Sequence, residues 1–438
     1  MDTTATASPV SHLEFEAKVR QHLPWNYFIN AMDGGLFGAG MLFVSAETLM
    51  PVVVKSLGGP AWLIALMPIL GQVGIWGPSL LFAHHWQRLD RHLPIVIKFS
   101  ILQRLAFLVG AVILFCGGNN HPHLAAAVVA LCPLASGLAG GVTLTAWQEV
   151  VAKTIPPQRR SSLWALRFIL TTAAGIGVGI AVKAILQALP GTTGYALLHL
   201  ITFAMLTISL LFFMRVRETP YPLAARPDFT LTQNLRRLPG LFARQRRVLY
   251  YLMGAATVGG IYVVLPWLSI HALTRLGQSD AFAGYLLTAY MLGAIVGNLL
   301  AGYAGDRVGG KYVCAASRVV FLLVCLWAPL AASTWEFYAL YALLGAAWYG
   351  NGVGASTLEL EICPREDRLS YLAVIAAVRV PSILAAALAG CWLWQAGGHR
   401  VALPAYVSAA AMILCIFFTL LVREPRGEKL QTTDVPAI

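Results

Sequence analysis

Asp33 is a carboxylate in a stretch where the other side chains are apolar, small or amides. Residues 26–40 read NYFINAMDGGLFGAG, and Asp33 is the only charged residue between Arg20 and Glu47. Burial disfavours the charged form of a carboxylate and a neighbouring cation favours it, so such a residue can bind and release a proton. The alternative is a static ion pair, for example with Arg104, which lies in another apolar stretch.

The residues around Asp33 also form a pattern. Five polar or small residues follow one another at steps of three, four or seven, which is the spacing of one helical face: Asn26, Asn30, Asp33, Gly40 and Glu47. Phe37 interrupts this face. We expect the face to look into the interior of a helix bundle, where a charged side chain can find polar partners.

Glu149 is the second carboxylate that could exchange a proton. It follows Trp147 and Gln148 and precedes VVAKTIPPQRRSS. Glu359 precedes LEICPREDRLS, so an acidic residue, a proline, arginines and a serine recur in the same order. The repetition equally supports a structural role, in which Glu149 pairs with one of the cations that follow it: Arg159, Arg160 or Arg167.

The elements that carry these residues are expected to be membrane helices. Of 438 residues, 58% are hydrophobic and 11% are charged, whereas a soluble domain has about 25% charged residues. Apolar runs long enough to cross a bilayer, about 20 residues, occur twelve times: 25–54, 61–85, 94–116, 124–152, 162–189, 194–214, 248–273, 281–304, 312–331, 335–361, 370–396 and 403–422. They lack the alternation of β-barrel strands, so we predict an all-α polytopic membrane protein with twelve transmembrane helices.

Basic residues are concentrated in alternate loops, which predicts the orientation of the chain. The intervening loops carry little beyond Lys55, Arg275 and Arg400. We therefore expect both termini in the cytoplasm and a location in a bacterial inner (plasma) membrane. The predicted domains are a tail, a six-helix bundle, a linker, a second six-helix bundle and a tail: 1–24, 25–214, 215–247, 248–422 and 423–438.

The linker, residues 215–247, is strongly basic. It holds eight arginines against Glu218 and Asp228, so it supplies a net charge of +6, half of the formal +12 of the chain. We interpret it as a connector that fixes topology and not as a nucleic-acid site. An alternative is contact with anionic lipid head groups through one helical face: Leu231, Leu235, Leu238 and Phe242.

The two predicted bundles repeat short sequence patterns. In the third span QRLAFLV surrounds Arg104, and in the ninth SRVVFLLV surrounds Arg318. Together with the repeat at Glu149 and Glu359, this indicates two parallel six-helix repeats, an organisation of transporters whose halves rock around a central site.

The run GYAGDRVGGK, from Gly302 to Lys311, resembles the cytoplasmic loop motif G-x-L-A-D-R-x-G-R-K of the major facilitator superfamily. The chain departs from the motif at three positions, and the matching loop of the first half, HHWQRLDRHLP, lacks the glycines. The resemblance implies a cytoplasmic gate: Gly302, Asp306, Arg307, Gly309 and Lys311. Its charges would pair in one conformation and separate in the other. The alternative is a basic turn needed only for topology.

The same resemblance implies a substrate cavity between the halves. In this superfamily the seventh and tenth helices line the cavity, and some proton-coupled sugar symporters use acidic residues of the first and fourth helices. Asp33 and Glu149 would then couple transport to protons. The cavity residues would be Asn30, Gln72, Tyr262, Tyr290, Asn298, Trp348, Asn351 and Arg379. Packing in the core is the alternative for each.

These residues suit a small polar organic solute, sugar-like or peptide-like, with Arg379 admitting an anionic group. We expect a monomeric secondary active transporter that works by alternating access as a proton symporter, with the solute, protons and the lipid bilayer as its partners. Proton antiport is the close alternative, because GIGVG at 175–179 is similar to a glycine-rich stretch of antiporters. A membrane receptor or scaffold with the same fold is the alternative of another class.

The sequence lacks the usual signs of an enzyme. HExxH, GxSxG and Walker motifs are absent, so we expect no catalytic activity and no cofactor. No cysteine or carboxylate stands at metal-ligand spacing from the paired histidines, so we expect no metal: His84, His85, His121 and His123.

The topology makes the first testable prediction. Single cysteines introduced near either terminus and within 215–247 should react with a membrane-impermeant maleimide only after the cell is opened. Cysteines introduced next to Lys55 and Arg400 should react in intact cells and serve as the control. Labelling of residues 215–247 from outside the cell would contradict both the orientation and the division into two bundles.

Overall fold

The computed structural model describes residues 12–86, 89–220, 246–362 and 368–423, and within these ranges the chain is helical and contains no β-strand. The first half contains α1 (His12–Leu42), α2 (Met50–Ser56), α3 (Ala61–Trp86), α4 (Leu93–Gly117), α5 (Pro122–Val142), α6 (Leu144–Thr154), α7 (Pro157–Ala188) and α8 (Thr192–Phe213). The second half contains α9 (Arg246–Val258), a 3₁₀ segment (Gly259–Val263), α10 (Leu265–Leu276), α11 (Phe282–Val308), α12 (Gly310–Trp327), α13 (Thr334–Ile362), α14 (Arg368–Ala396) and α15 (Ala402–Leu421).

The helices follow the predicted all-α organisation. In the described ranges, nine segments are long and apolar enough to cross a membrane. The other three of the twelve predicted runs correspond to α1, α13 and α14. All three carry candidate site residues: Asp33 in α1, Asn351 in α13 and Arg379 in α14.

Three of the predicted runs are interrupted. The first run stops being helical after Leu42 and resumes in α2, and the fourth is broken at Thr143 between α5 and α6. The seventh contains the 3₁₀ segment between α9 and α10. Broken helices leave backbone groups for other partners, and in membranes they are found where they line a cavity or are enclosed by protein.

One large buried cluster joins the two halves. It contains Leu49 and Leu114 of the first half together with Trp267 and Ala331 of the second. These residues lie toward the membrane face that is opposite to the start of α1 and the end of α15. We call this the opposite face, and the face with the two ends the terminal face.

The smaller clusters of described residues lie toward the terminal face, and each belongs to a single half. One contains Val248 and Val422 of the second half. Two others contain Phe213 and Leu163 of the first half. The hydrophobic packing between the halves is therefore concentrated at the opposite face.

The backbones of α7 and α11 approach each other closely across the boundary between the halves. A Cβ added at Gly179 would lie 2.7 Å from the carbonyl oxygen of Gly284, and one added at Gly284 would lie 2.7 Å from the backbone nitrogen of Lys183. Side chains larger than hydrogen would push the helices apart, so these glycines permit the closed arrangement at the opposite face.

The segment after α8 is held against the terminal face by Glu218. Its carboxylate accepts hydrogen bonds from the backbone N–H groups of His92 (2.9 Å) and Leu93 (2.9 Å) at the start of α4. The Lys153 ammonium at the end of α6 lies 3.6 Å from the same carboxylate, whose side chain is only 3% exposed. This arrangement favours the anion because both the helix N-terminus and the lysine carry positive charge.

Burial by itself raises the pKa of Glu218, but the hydrogen bonds from His92 and Leu93 and the charge of Lys153 outweigh it and lower the pKa below its usual value. The first residues of the predicted linker are therefore fixed to α4 and α6. Residues 221–245, including the predicted lipid-facing side chains Leu231 to Phe242, lie outside the described ranges.

The glycine contact leads to a prediction about conformation. Gly284→Ala should weaken closure at the opposite face, because the new Cβ meets the backbone of α7. In a background without native cysteines, Ile270→Cys, a buried position near that face, should be labelled severalfold faster in the Gly284→Ala protein.

Gly177→Ala is the matched control, because a Cβ at Gly177 on α7 meets nothing within 4 Å. Equal labelling rates in the Gly284→Ala protein and the Gly177→Ala protein would show that the close approach does not govern closure.

Glu218 leads to a prediction about stability and pH. Glu218→Gln should lower the free energy of unfolding at pH 7 by about 2 kcal/mol, because it removes a buried anion from its hydrogen-bond donors. The thermal midpoint should fall accordingly. Because the folded pKa is lowered, the wild-type contribution is present above the unfolded pKa, about 4.3, and is lost as pH falls through the folded value. The difference between the two proteins should shrink on acidification.

Glu16→Gln is the control, because the Glu16 side chain is 64% exposed and forms a surface ion pair with Arg20 at 3.5 Å. A Glu218→Gln protein that melts with the wild type at pH 7 would contradict the assigned role.

Candidate functional site

Asp33 lies inside the first half and is 6% exposed. Its carboxylate accepts a hydrogen bond from Ser209 of α8 (2.7 Å) and forms an ion pair with Arg167 of α7 (3.4 Å). Arg167 also donates to the carbonyl oxygen of Asn30 at 3.2 Å. A Cβ added at Gly34 would lie 2.5 Å from the Arg167 Cγ, so this glycine makes room for the arginine to cross α1.

Two tryptophans hold the Arg167 guanidinium. The rings of Trp147 in α6 and Trp164 in α7 each lie with their centroids 5.1 Å from its central carbon. Such contacts compensate a cation in part for lost solvation. Arg167 therefore keeps partners even without Asp33.

The structure pairs Asp33 with Arg167 and not with Arg104. Arg104 donates to the carbonyl oxygens of Leu206 (2.6 Å) and Ser100 (2.8 Å). Its charge still attracts Asp33, but less strongly than that of Arg167.

Glu149 lies in α6, two residues after Trp147, and its side chain is partly exposed. Its repeat in the second half, Glu359, forms an ion pair with Arg379 at 2.5 Å. Tyr251 of α9 donates to the same carboxylate at 2.6 Å and accepts from Arg379 at 3.2 Å. Arg379, predicted in the substrate cavity, is thus bound within its own half.

The arginines of the two halves correspond. Arg104 (α4) and Arg318 (α12) lie in the third membrane span of their halves. Arg167 (α7) and Arg379 (α14) lie in the fifth span. From the sequence Arg379 had no evident counterpart, because the residues around Arg167 are dissimilar. Both guanidinium groups pair with an acidic residue of their own half, but on different helices: Arg167 with Asp33 of α1 and Arg379 with Glu359 of α13.

Several predicted cavity residues meet at the interface between the halves. Gln72 of α3 donates to the Tyr262 hydroxyl at 2.7 Å. The Tyr262 ring stands edge-on to Trp348 with centroids 5.8 Å apart. Tyr290 lies 6.2 Å from the ring of Tyr349, a residue that was not among the predicted set.

Phe168 of α7 completes this aromatic cluster from the first half, because its ring stands edge-on to Tyr349 at 6.2 Å. Tyr349 follows Trp348 on the helix from which the sequence predicts cavity residues. Sequence reasoning missed Phe168, because it lies in an ordinary apolar run.

Glu47 is a further carboxylate at this interface. It lies in the turn between α1 and α2 and accepts a hydrogen bond from Ser45 at 3.3 Å. Its charge acts on three tyrosines of the second half: Tyr262, Tyr290 and Tyr349. In the described ranges no cation lies within ion-pair distance of Glu47, and Lys183 instead lies over the Tyr285 ring at 4.8 Å.

The other predicted cavity residues have partners within one half or none among the described residues. Asn30 donates to the backbone carbonyl oxygen of Asn26 (2.8 Å), and the side-chain amide of Asn26 donates to the carbonyl oxygen of Arg217 (3.1 Å). Asn351 accepts from Arg318 at 3.3 Å. The Asn298 amide nitrogen is buried and has no partner in the described part of the chain.

The predicted gate lies at the junction of α11 and α12. Gly309 has φ of 94°, so its left-handed backbone favours glycine. The Arg307 guanidinium lies 3.5 Å from the Tyr303 ring centroid, and Lys311 lies 5.5 Å from that of Tyr312. Gly302 faces open space, so in this conformation it makes no close approach. The side chain of Asp306 lies outside the described set.

The second half of the chain is similar in sequence to a known family of transporters. The family model described as Major Facilitator Superfamily matches residues 250–437. The protein YaaU of Escherichia coli (strain K12) is 25% identical over 177 residues, which are 40% of this chain and 39% of that protein. An uncharacterized MFS-type transporter of Mycobacterium tuberculosis (strain ATCC 25618 / H37Rv) is 29% identical over 172 residues, 39% of this chain and 24% of that protein. The matched region therefore spans about two fifths of the length of the Escherichia coli protein and about a quarter of the length of the Mycobacterium tuberculosis protein.

The fold extends the likeness to both halves. A mutant of the nucleoside transporter NupG has a TM-score of 0.67 at 14% identity, covering 91% of this chain and 100% of that one. A D-xylose–proton symporter has a TM-score of 0.68 at 16% identity, covering 93% and 99%. The second half of the chain therefore resembles the Major Facilitator Superfamily in sequence, and the whole chain shares the fold of these two solved transporters.

Proposed function

We propose that the chain is a secondary active transporter that moves a small polar organic solute by alternating access. The observation that carries this proposal is the distribution of buried clusters: one joins the halves at the opposite face, and those toward the terminal face belong to single halves. Two packed bodies joined at one end can rock, because an interface of this kind has discrete packed and unpacked states.

With the orientation predicted from basic residues, the terminal face is cytoplasmic. The described conformation is then closed on the outside and accessible from the cytoplasm of a bacterial cell. The loop at Gly309 lies at the cytoplasmic face, and we assign Arg307, Lys311 and Asp306 to the contacts that form when that face closes.

The solute site is assigned to the aromatic cluster between the halves. Gln72 and Phe168 come from the first half, and Tyr262, Trp348 and Tyr349 come from the second. Tyrosine and tryptophan rings offer a flat apolar surface with a polar edge, and Gln72 can donate and accept. This combination suits a hydroxyl-bearing ring. Names of two structural neighbours, a D-xylose symporter and a nucleoside transporter, concern solutes of that kind.

Proton coupling is assigned to Asp33, with Glu149 in a secondary role. Protonation of Asp33 would end its ion pair with Arg167 while leaving the Ser209 contact and the tryptophan contacts of the arginine in place. The change would free α1 to move relative to α7. Since α1 leads directly to Glu47 beside the tyrosines, the proton state of Asp33 is placed to alter the solute site.

Asp33→Asn tests the coupling. The amide keeps the shape and accepts the Ser209 hydrogen bond but cannot exchange a proton. In proteoliposomes, accumulation of a solute driven by an inward proton gradient (lower pH outside) should fall to the level of passive equilibration, because coupling is lost. Counterflow of the same solute should persist. The solute is first chosen by a thermal-shift screen of pentoses, hexoses and nucleosides.

Two variants separate this role from others. Glu149→Gln should give a milder coupling defect, and Glu47→Gln should weaken solute binding because Glu47 lies beside the tyrosines. Gradient-driven accumulation that survives in Asp33→Asn would refute the coupling role. Accumulation driven by an outward proton gradient (lower pH inside) would instead identify an antiporter. Absence of any flux in the wild type would favour a receptor.

A further inference from the structure

A second cavity lies between the halves at the opposite face. Its volume is about 620 Å³, and Lys55, Gly59, Ala61 and Ile64 line it from the first half. The second half contributes apolar residues and a group of polar ones: Trp267, His271, Thr274, Arg275, Trp394 and His399. It is separate from the aromatic cluster at Gln72 and Tyr262.

The charged groups of this cavity all have one sign. Lys55 and Arg275 are cations, and no carboxylate is among the lining residues. Lys55 donates to the Thr274 hydroxyl at 3.1 Å, which joins the two halves across the cavity. Both cations are exposed and face the cavity from opposite halves, so an anion between them would be attracted by both.

Two polar atoms in the wall have no hydrogen-bond partner among the described residues. Trp267 is 1% exposed, and its indole N–H, which can only donate, has no acceptor there. The His271 Nε2, which donates or accepts depending on the tautomer, is buried and also lacks a partner in those ranges. Buried polar atoms without partners are rare in proteins, so the Trp267 N–H calls for an acceptor.

The position of His399 adds to this arrangement. It is the only non-glycine residue in the described ranges with positive φ, at 63°. Its ring stands edge-on to Trp394 at 6.0 Å, and Trp394 stacks on Trp267 at 4.6 Å. Non-glycine residues in the left-handed region are uncommon and are found where the surroundings hold them.

The nearby carboxylates are engaged elsewhere. Asp280 accepts a hydrogen bond from Tyr195 at 2.7 Å. Glu336 accepts from the backbone N–H groups of Ala332 and Ser333, at 3.0 and 2.8 Å. Neither lines the cavity.

The charge pattern of the chain makes the cations notable. The loops of the opposite face carry three basic residues, Lys55, Arg275 and Arg400. Two of them line this cavity, and the third directly follows His399. Topology alone disfavours basic residues on the outer face, so their convergence requires another cause.

We propose that this cavity binds an oxyanion group, a phosphate or a carboxylate, that bridges the two halves. The anion would lie between Lys55 of the first half and Arg275 of the second, and it would accept a hydrogen bond from the Trp267 indole N–H. It would bind the conformation that is closed at the opposite face and so stabilise that state by mass action. This site is independent of the solute site under the proposed function.

The test uses the full-length protein in a neutral detergent, with inorganic phosphate as the probe. Thermal midpoints are compared in sodium phosphate and in sodium chloride of equal ionic strength. Phosphate should raise the midpoint saturably by several degrees. In Lys55→Gln and in Arg275→Gln, the phosphate concentration that gives half of the maximal rise should increase at least tenfold, because each substitution removes one side of the bridge.

Arg400→Gln is the matched control, since Arg400 lies on the same face but does not line the cavity. It should respond to phosphate as the wild type does. No saturable effect beyond ionic strength, an unchanged response in Lys55→Gln, or an equal loss in Arg400→Gln would each overturn the proposal.

A second arm identifies the source of the anion. If the site takes a soluble anion, free phosphate in phosphatidylcholine nanodiscs should raise the thermal midpoint of the wild type more than that of Lys55→Gln. If a lipid head group occupies it, phosphatidylglycerol should produce that stabilisation and remove the effect of free phosphate. Equal stability of the two proteins under all these conditions would overturn the site itself.

Discussion

A guanidinium group inside a helix bundle in lipid has no water to solvate it, so its donors need acceptors within the protein. This requirement organises both halves of the chain. In the first half Arg104 reaches the backbone of α8 and Arg167 reaches Asp33 and Asn30. In the second half Arg318 reaches Asn351 and Arg379 reaches Glu359. Each half is thereby tied together by polar contacts in its own interior.

Contacts between the halves are of a different kind. They consist of apolar side chains, aromatic edges and close glycine contacts between α7 and α11, with single hydrogen bonds such as that between Gln72 and Tyr262. Apolar surfaces can separate without leaving buried charges unpaired, whereas breaking an ion pair in a half would leave one. Because the ion pairs lie within the halves and apolar contacts lie between them, the two halves can separate more easily than either half can come apart.

The sequence predicted the features that depend on composition and periodicity. The helical runs, the two halves and the residues near Tyr262 and Trp348 follow from apolar length, repeats and aromatic side chains. The breaks at Thr143 and in the seventh span were not predicted, because the residues there are as apolar as their neighbours and tertiary packing decides their conformation. The pairing of Asp33 with Arg167 was also missed, since a choice among arginines at similar depth depends on the rotation of each helix.

Glu218 was counted only as one charge of the linker, although it caps α4. A cap formed by a residue distant in sequence has no local signature, unlike one formed by the residue before the helix. The cavity at Lys55 and Arg275 lies outside sequence reasoning for the same reason, because its walls come from both halves.

Under the proposed function, the hydrogen bond between Gln72 and Tyr262 has a consequence for selectivity. A solute that enters between these residues separates an amide and a hydroxyl that now satisfy each other. A solute with hydroxyl groups in the right places restores both bonds, whereas a deoxy analogue leaves a buried polar group unpaired, at a cost of about 1–3 kcal/mol. Such a site discriminates by what a competitor fails to replace, and a missing hydroxyl is penalised more heavily than a missing methyl group.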